Sequence, residues 1–237
     1  MTDALPGTRG RKRVFLMRHG DVDYRAAEGR AILADQVPLT AEGERQAGIV
    51  GDVLRDIPFD IAAHTGLPRT VRTLDLILGE RPVPRRPIPA LREIRSGDFG
   101  LLSPERFEAD FVYGFENAGA PGARFAGGEL FADFQARTVP AFEQFILEAG
   151  WRTALLVCHG GTNAVLLAWI TGGGLAGLGP FDQDPCCLNV LDFDVVDGVI
   201  IRKLIRTVNA TAYNLAKDGL YQSVIERMAA QLRGAGR

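Results

Sequence analysis

Short runs of apolar residues alternate along this chain with segments whose apolar residues repeat at helical spacing. Residues 14–17 and 153–158 are almost wholly apolar, which is typical of strands buried on both faces of a sheet, and residues 59–63 form a similar run. Each run precedes a segment with a helical repeat, and the pattern predicts helices at about 41–56, 67–78 and 162–170. This order of strands and helices is typical of an α/β fold.

The second half of the chain adds a long helix and a hairpin. Residues 130–149 carry apolar positions at helical spacing, and the runs 188–193 and 199–205 flank Val196-Asp197-Gly198, which has the composition of a hairpin turn. Residues 213–232 predict a final, partly exposed helix. We therefore expect a three-layer α/β/α sandwich around a mainly parallel sheet, with an antiparallel hairpin late in the chain.

Two segments break the periodic pattern. Residues 81–89 contain four prolines, at positions 82, 84, 87 and 89, and predict an extended connector in place of a helix. Residues 96–128 are rich in Gly, Phe and acidic residues and predict an irregular or helical insertion over one end of the sheet. We expect a single domain over residues 14–213 with this cover at about 99–128, a flexible N-terminal arm at 1–13 and a C-terminal helix at 214–237.

Composition excludes several classes of protein. The 237 residues are 46% hydrophobic and 24% charged, which is typical of a globular chain, and 27 basic against 29 acidic side chains give a net charge of −2. That balance excludes a whole-protein attraction to nucleic acid or to anionic membranes. Glycines divide the uncharged stretch 153–181 into pieces too short to span a membrane, and the run 14–17 is too short for a signal peptide. We expect a cytoplasmic protein with no membrane or nucleic-acid partner.

The three cysteines, Cys158, Cys186 and Cys187, do not suggest a disulfide framework or a metal site. Adjacent Cys186 and Cys187 lack the spacing with which two thiolates reach one tetrahedral metal ion. We therefore expect reduced thiols, as in cytosolic proteins, and no bound metal.

The three histidines, His19, His64 and His159, each directly follow a predicted strand. The carboxyl ends of parallel strands meet at one edge of a sheet, where ligands bind in α/β folds, so we expect the three side chains to lie near one another. Gly20 and Gly160 follow two of them and allow the backbone to approach a ligand closely. Any one of these histidines alone fits a structural role at a strand end equally well, but three at one edge favour a site.

Cationic side chains point to an anionic ligand at the same edge. Arg18 ends the first predicted strand, where a buried guanidinium requires a negative partner, and Arg69 lies at the start of the helix after the second strand. Thr162 and Asn163 open the helix after His159, so that free backbone N–H groups face this edge as well. Arg69 taken alone better suits a surface salt bridge. Together, these groups suit a tetrahedral phosphate.

Seven segments of the chain, in order, resemble the motifs of the histidine phosphatase superfamily, also called phosphoglycerate mutase-like. Residues 14–20 end in Arg18-His19-Gly20, which resembles the superfamily signature, and residues 157–161 resemble its second histidine motif. The others are similar to P-L-T-x-x-G at 38–43, L-x-R-A-x-x-T at 67–73, L-x-E followed by G-x-x-E-G at 91–100, G-G-E at 127–129 and a worn N-D-T-A-H at 209–213. An ordered set spanning residues 14–213 is far more specific than one tripeptide.

The resemblance implies a two-step phosphoryl transfer with no metal and no other cofactor. His19 would be the nucleophile, attacking phosphorus through a neutral ring nitrogen and forming a phosphohistidine. The groups that would bind the phosphate oxygens are Arg18, Arg69, His159 and Gly160.

Other positions carry more than one interpretation. The resemblance makes Glu93 the acid that protonates the leaving alkoxide and then the base for water. Between Arg92 and Arg95 it also suits an exposed ion pair, and only its position in the motif favours the catalytic role. Arg25 stands where the superfamily often has Asn, and it suits a substrate contact or an exposed position equally. His64 replaces a small hydroxyl residue and is a candidate either to contact the phosphate or to modulate the pKa of the phosphate.

The sequence favours a phosphatase acting on a small phosphorylated substrate. Mutases of the superfamily carry a pair of arginines in the inserted region, whereas Arg106 and Arg124 of this insertion are not adjacent. A mutase, or a phosphate-ester or phosphoprotein binding module with worn catalytic segments, is the alternative. A dinucleotide-binding domain is excluded because no Gly-x-Gly-x-x-Gly follows the first strand.

The aromatic residues of the insertion include Phe107, Phe111, Tyr113, Phe115 and Phe125. They suit a cover over the substrate or, for most of them, a small satellite core. The composition of this cover is compatible with many phosphorylated substrates, and the sequence leaves the oligomeric state open.

Overall fold

The computed structural model describes residues 10–24, 34–98 and 101–234, and the following description concerns this part of the chain. Its strands are β1 Arg11–Arg18, β2 Ile61–His64, β3 Arg85–Pro87, β4 Thr153–Cys158, β5 Leu188–Val196 and β6 Val199–Ala210. They form one sheet in the order β3-β2-β4-β1-β5-β6. The first four run parallel, β5 pairs antiparallel with β1, and β6 pairs antiparallel with β5. The predicted mainly parallel sheet with a late antiparallel hairpin is confirmed.

Six α-helices accompany the sheet in the described residues: α1 Ala41–Val53, α2 Pro68–Leu78, α3 Pro104–Phe107, α4 Phe131–Leu147, α5 Gly160–Thr171 and α6 Val224–Gly234. The Thr40 side chain caps α1 by accepting a hydrogen bond of 3.0 Å from the N–H of Gly43. Pro68 occupies the first turn of α2, where its missing N–H costs nothing.

The alternation of side chains along the central strands produces the three layers. In β1, Val14 and Leu16 pack into a core cluster with α4 and α5, whereas Phe15 and Met17 pack into a second cluster with α1 and α2. Successive residues of a strand point to opposite faces, so a strand that is apolar throughout must be covered on both sides. The result is the α/β/α sandwich expected from the sequence.

Near both ends of the described chain the structure differs from the prediction, and residues 1–9 of the predicted arm lie outside the described residues. Residues 11–13, expected in a flexible arm, belong to β1, because Arg11 and Arg13 pair with Asp194 and Asp192 of β5 at 2.7 Å. The final helix begins at Val224 and not near residue 213. Polar side chains between residues 211 and 219 make hydrogen bonds to the backbone of the same segment. For example, the side chain of Asn214 donates to the carbonyl of Asp218, and such bonds compete with formation of a helix.

The proline-rich connector also contains a strand that the pattern did not predict. β3 pairs with β2 at the edge of the sheet, and edge strands tolerate proline because one side of their backbone has no partner strand.

The described part of the insertion, residues 101–128, contains α3, a π-helical turn at Glu108–Val112 and a 3-10 turn at Phe125–Gly127. Its rings form an aromatic cluster in which Phe111 and Phe115 each contact Phe125, with ring centroids 5.5 and 5.4 Å apart. Tyr113 is exposed. Phe111 and Phe125 are buried in the main core cluster and do not form a separate satellite core. Among the described helices, none combines the length and apolar character needed to cross a bilayer.

Candidate active site

A cavity of about 840 Å³ lies at the carboxyl ends of β1 and β4, where the sequence predicted a site. Five of the predicted residues line it, namely Arg18, His19, Arg69, Glu93 and Gly160. His159 is fully buried beside them, with its ring centroid 5.2 Å from that of His19. Parallel strands that end at one edge bring these distant residues together.

The loop after β1 explains three of the sequence motifs. Gly20 approaches α1 so closely that a Cβ atom on it would lie 2.5 Å from the carbonyl oxygen of Gly43, so both positions require glycine. The N–H of Gly20 donates to the hydroxyl of Thr73 at 3.0 Å, and that hydroxyl donates to the carbonyl of Arg69 at 2.8 Å. These contacts fix His19 relative to α2 and therefore relative to Arg69.

The hydrogen bonds of His19 define which ring nitrogen is free to react. Nδ1 lies 2.7 Å from the carbonyl oxygen of Gly20, which can only accept, so Nδ1 carries the proton. Nε2 accepts from Nε–H of Arg69 at 3.3 Å and therefore has a lone pair. Burial, together with the charges of Arg69 and Arg18, holds the pKa of His19 well below its ordinary value. His19 is thus a neutral imidazole with its nucleophilic nitrogen beside a guanidinium.

Arg18 and Arg69 bring positive charge into the buried part of the cavity. Arg69 is 2% exposed and Arg18 is 7% exposed. Nη1 of Arg18 donates to the carbonyl of Gln183 at 2.6 Å, but its buried Nε has no partner within the described residues. A buried N–H without an acceptor is costly, and an oxygen atom of an anion would satisfy it.

A chain of hydroxyl groups sets the orientation of His159. The hydroxyl of Thr70 donates to the carbonyl of Leu67 at 2.8 Å, so the hydroxyl of Thr65, 3.2 Å away, must donate to Thr70. Nε2 of His159 lies 2.9 Å from the Thr65 hydroxyl and consequently donates to it. Burial, with the charge of Arg69 next in effect, holds the pKa of His159 well below its ordinary value, so the ring is neutral and its buried Nδ1 has no partner in the described residues.

Glu93 is neither exposed nor paired with its neighbouring arginines. Its carboxylate accepts from the N–H groups of Gly161 at 2.9 Å, Thr162 at 3.1 Å and Ile94 at 3.0 Å, so it caps the start of α5. A Cβ atom on Gly161 would lie 2.6 Å from Oε1 of Glu93, which explains the glycine after Gly160. Two carboxylate oxygens offer about four acceptor positions, so one stays available toward the cavity.

Arg92 and Arg95, the neighbours of Glu93, have other partners. Nε of Arg92 donates to the carbonyl of Thr65 at 3.4 Å, and Arg95 pairs with Glu129 at 3.6 Å. The ion-pair interpretation of Glu93 is therefore not what the structure shows.

Arg137 on α4, which the sequence analysis did not single out, holds the segment that carries Glu93. Its guanidinium donates to the carbonyls of Ala90, Arg92 and Glu93 at 2.7, 2.8 and 3.0 Å. It also makes a two-point contact with the carboxylate of Glu129, at 2.8 and 3.0 Å. Glu129 is the acid of the G-G-E motif. The motif therefore serves to hold Arg137 in place, and Arg137 in turn holds the backbone that carries Glu93.

We expect Arg137→Leu to destabilise the fold by about 3–5 kcal/mol, because it leaves the buried carboxylate of Glu129 with only the exposed Arg95, 3.6 Å away, as a cationic partner. The side chain of Glu129 is only 3% exposed. The control is Arg55→Ala, whose ion pair with Asp52 is about 70% exposed on both sides and should contribute less than about 1 kcal/mol. Urea unfolding measures the free energy of unfolding of both variants. A loss of that free energy below about 1 kcal/mol for Arg137→Leu would contradict the role of Arg137 in holding this segment.

Gln183 is a second residue that the sequence analysis missed. Its carbonyl accepts from Arg18, and its side-chain oxygen accepts from Nδ2 of Asn189 at 2.7 Å. Asn189 also donates to the carbonyl of Leu16 in β1 at 3.1 Å. Arg18 is therefore positioned from β5 and the loop before it. The available signal was Asn189 itself, a polar residue next to the apolar residues that begin β5.

The two other predicted contacts, Arg25 and His64, have different outcomes. Arg25 lies outside the described residues. His64 ends β2, half-buried, and its Nδ1 accepts from the N–H of Gly66 at 3.0 Å; it is not among the residues that line the cavity. Burial lowers the pKa of His64. The hydroxyl function expected at that strand end is supplied by the next residue, Thr65.

The cysteines fit the expectation of free thiols. Cys158, Cys186 and Cys187 are buried and unpaired with one another, and burial raises the pKa of Cys187 to about 12. Within the described residues, no group of three or more His, Cys, Asp or Glu side chains is placed to hold a metal ion.

The chain as a whole is similar to known phosphatases and mutases. Residues 14–203 match the family model described as histidine phosphatase superfamily (branch 1). The adenosylcobalamin/alpha-ribazole phosphatase of Salmonella typhimurium is 29% identical over 190 residues, which cover 76% of this chain and 90% of the relative. A probable phosphoglycerate mutase GpmB of Klebsiella pneumoniae is 32% identical over 165 residues, covering 67% and 74%. The structure of mycobacterial glucosyl-3-phosphoglycerate phosphatase has the same fold, with a TM-score of 0.69 at 24% identity over 84% of this chain and 99% of that one.

Proposed function

This chain belongs to the histidine phosphatase superfamily, and on that premise we propose that it hydrolyses phosphate monoesters through a phosphohistidine formed on His19. The observation that carries the proposal is the bonding of the His19 ring, which leaves Nε2 unprotonated beside Arg69 in the cavity. A neutral nitrogen next to a buried cation suits attack on a phosphoryl group whose oxygens are negatively charged.

In the first step, the lone pair of Nε2 forms a bond to phosphorus and the bond from phosphorus to the alcohol oxygen breaks. Arg18 and Arg69 stabilise the negative charge on the phosphoryl oxygens. The ring becomes a cation on phosphorylation, and the carbonyl of Gly20 stabilises it through the Nδ1–H bond. Glu93 enters this step protonated and gives its proton to the leaving alkoxide, which converts it to the carboxylate that caps α5.

In the second step, water attacks phosphorus and the bond to Nε2 breaks, which releases inorganic phosphate and restores neutral His19. Glu93 takes the proton from water and so returns to its starting form for the next cycle. His159 takes up a proton at Nδ1 when the phosphate dianion binds, because a neighbouring negative charge raises the pKa of an imidazole, and it then donates to a phosphate oxygen.

Hydrolysis is favoured over mutase activity by the contents of the cavity. Arg106 pairs with Asp110 on the surface, and Arg124 donates to the carbonyl of Gly128; neither lines the cavity. A substrate carboxylate of the kind that phosphoglycerate carries therefore has no paired arginines from the insertion to bind it.

The direct test is release of phosphate from p-nitrophenyl phosphate by the purified protein with a chelator present. We expect turnover that chelation does not abolish. Failure to hydrolyse any phosphate monoester, with phosphate esters still bound, would instead support the binding-module alternative. Interconversion of phosphoglycerates without net phosphate release would support a mutase.

We expect Glu93→Gln to slow the hydrolysis of alkyl phosphates by roughly 10²-fold or more, in the range of general acid catalysis, and p-nitrophenyl phosphate far less. An alkoxide needs a proton to leave, whereas p-nitrophenolate does not. The comparison is kcat for ethyl phosphate and p-nitrophenyl phosphate in the same variant. Glu116→Gln, which changes another acid in the cavity wall, should leave their ratio unaltered. Equal slowing of both substrates by Glu93→Gln would exclude proton donation.

A further inference from the structure

The cavity that contains His19 is far larger than a phosphate group requires. Its volume of about 840 Å³ falls in the range of roughly 300–1,000 Å³ in which proteins enclose drug-sized ligands. The phosphate-binding candidates Arg18, His19 and Arg69 line only part of its wall. The remaining space is available to the alcohol that carries the phosphate.

The insertion and α6 supply many of the apolar side chains in the rest of the wall, among them Phe111, Phe115, Phe125, Ile225, Met228 and Leu232. Other segments add Leu67, Ile94, Leu178 and Phe181. The three side chains from α6 are only partly buried, although they pack against the main core cluster. An apolar ligand in the cavity would remove this surface from water, which is favourable.

Specific polar contacts hold α6 in this position. Arg227 pairs with Asp184 at 2.8 Å, and the carboxyl of Asp184 also binds Lys217 at 2.9 Å. The N–H of Val224 donates to the carboxylate of Asp182 at 3.3 Å at the start of the helix. Because residues 182–184 adjoin the carbonyl that binds Arg18, α6 is tied to the same loop as the phosphate site. The C-terminal helix is thus part of the cavity wall.

The insertion and α6 contribute no cation to the described lining of the cavity, whereas the insertion contributes the acid Glu116. The arginines of the lining besides Arg18 and Arg69 are Arg92, Arg95 and Arg137, and their guanidinium groups contact the carbonyl of Thr65 or the carboxylate of Glu129. A carboxylate or second phosphate placed against the apolar wall would therefore lose its hydration without a cation from either element.

We propose that the substrates are phosphate monoesters of bulky, uncharged, apolar alcohols, whose hydrocarbon part lies against α6 and the aromatic rings of the insertion. The inference rests on the proposed hydrolase function and narrows its substrate class. Small phosphorylated acids are poor substrates on this basis, because they leave the apolar wall exposed to water.

A series of linear alkyl phosphates from ethyl to octyl tests the proposal, since their leaving alcohols have similar basicity and differ mainly in apolar surface. We expect kcat/KM to rise roughly threefold to fourfold for each methylene group buried, until the chain fills the cavity. The kcat/KM for octyl phosphate should exceed that for 3-phosphoglycerate by at least the factor that separates octyl from ethyl phosphate.

The variant Met228→Gln tests whether α6 makes this contact, because it replaces an apolar wall residue with a polar one of similar size. The ratio of kcat/KM for octyl over ethyl phosphate should fall by roughly fivefold or more. The matched control is Ala230→Gln, at an exposed position of the same helix outside the cavity wall, which should keep the wild-type ratio.

The outcomes separate the two proposals. Hydrolysis of every ester with kcat/KM independent of chain length, or a preference for 3-phosphoglycerate, would overturn the apolar substrate class and leave the hydrolase function intact. Failure to hydrolyse any ester would overturn the hydrolase function. In that case, calorimetry with octylphosphonate still tests the cavity: tighter binding than ethylphosphonate with a negative heat-capacity change supports the apolar wall, and equal binding overturns it.

Discussion

Replacement of His19 by alanine should reduce phosphate release from p-nitrophenyl phosphate by roughly 10⁴-fold or more, as expected when a nucleophile is removed. The variant retains Arg69 and Arg18 but has no nitrogen to take the phosphoryl group. Wild-type protein quenched during turnover should contain phosphate bound in a form stable to alkali and labile to acid, as a phosphoramidate is, and His19→Ala should contain none.

The control for His19→Ala is His64→Ala. His64 also ends a parallel strand, but it is half-buried, bonds to the N–H of Gly66 and does not line the cavity. We expect His64→Ala to stay within a few fold of the wild type. If His19→Ala kept more than about 1% of activity, or if both variants lost activity equally, His19 would not be the nucleophile.

Arg69→Ala should lower kcat/KM by about 10²–10³-fold, or roughly 3–4 kcal/mol, the cost typical of losing a donor to a developing oxyanion. The matched control is Arg72→Ala, one turn further along α2, where the guanidinium is half exposed and pairs with Glu44 at 2.7 Å. Its loss should change kcat/KM less than threefold. A reduction below tenfold for Arg69→Ala would place this guanidinium outside phosphate binding.

The same substitution should also change the pH profile. After burial, the charge of Arg69 is the next largest cause of the low pKa of His19. Removing that charge raises the pKa, so His19 becomes protonated, and unreactive, at a higher pH than in the wild type. The acidic limb of kcat/KM, which reports the free enzyme, should therefore move to higher pH in Arg69→Ala and stay in place in Arg72→Ala.

Residues of separate sequence motifs contact one another in the structure. Gly20, Gly43 and Thr73 come from three motifs and meet in a single close approach behind His19. Likewise, Glu129 of the G-G-E motif bonds through Arg137 to the backbone that carries Glu93. The motifs therefore mark positions where a loop must come within hydrogen-bonding distance of a neighbour, in addition to the groups that do the chemistry.

Local sequence was sufficient to predict the two-sided burial of β1 and β4 and the residues that end these strands. Apolar runs of this length require cover on both faces, and parallel strands end at one edge, so the assembly of Arg18, His19, Arg69 and His159 follows from their positions alone. Where local hydrogen bonds compete with a helix, as between 211 and 223, periodicity was a poor guide to the start of α6.

The tertiary structure alone decided the roles that depend on contacts between distant segments. Thr65 bonds to a histidine 94 residues away, and Arg137 reaches carbonyls 44 to 47 residues away, so no local pattern marks either one. Contacts between distant segments also make Glu93 a cap of α5 and not an exposed acid. The same kind of contact makes α6 part of the cavity wall. A strand or helix is selected by the spacing of its own side chains, whereas the partner of a buried polar group is selected by how the whole chain packs.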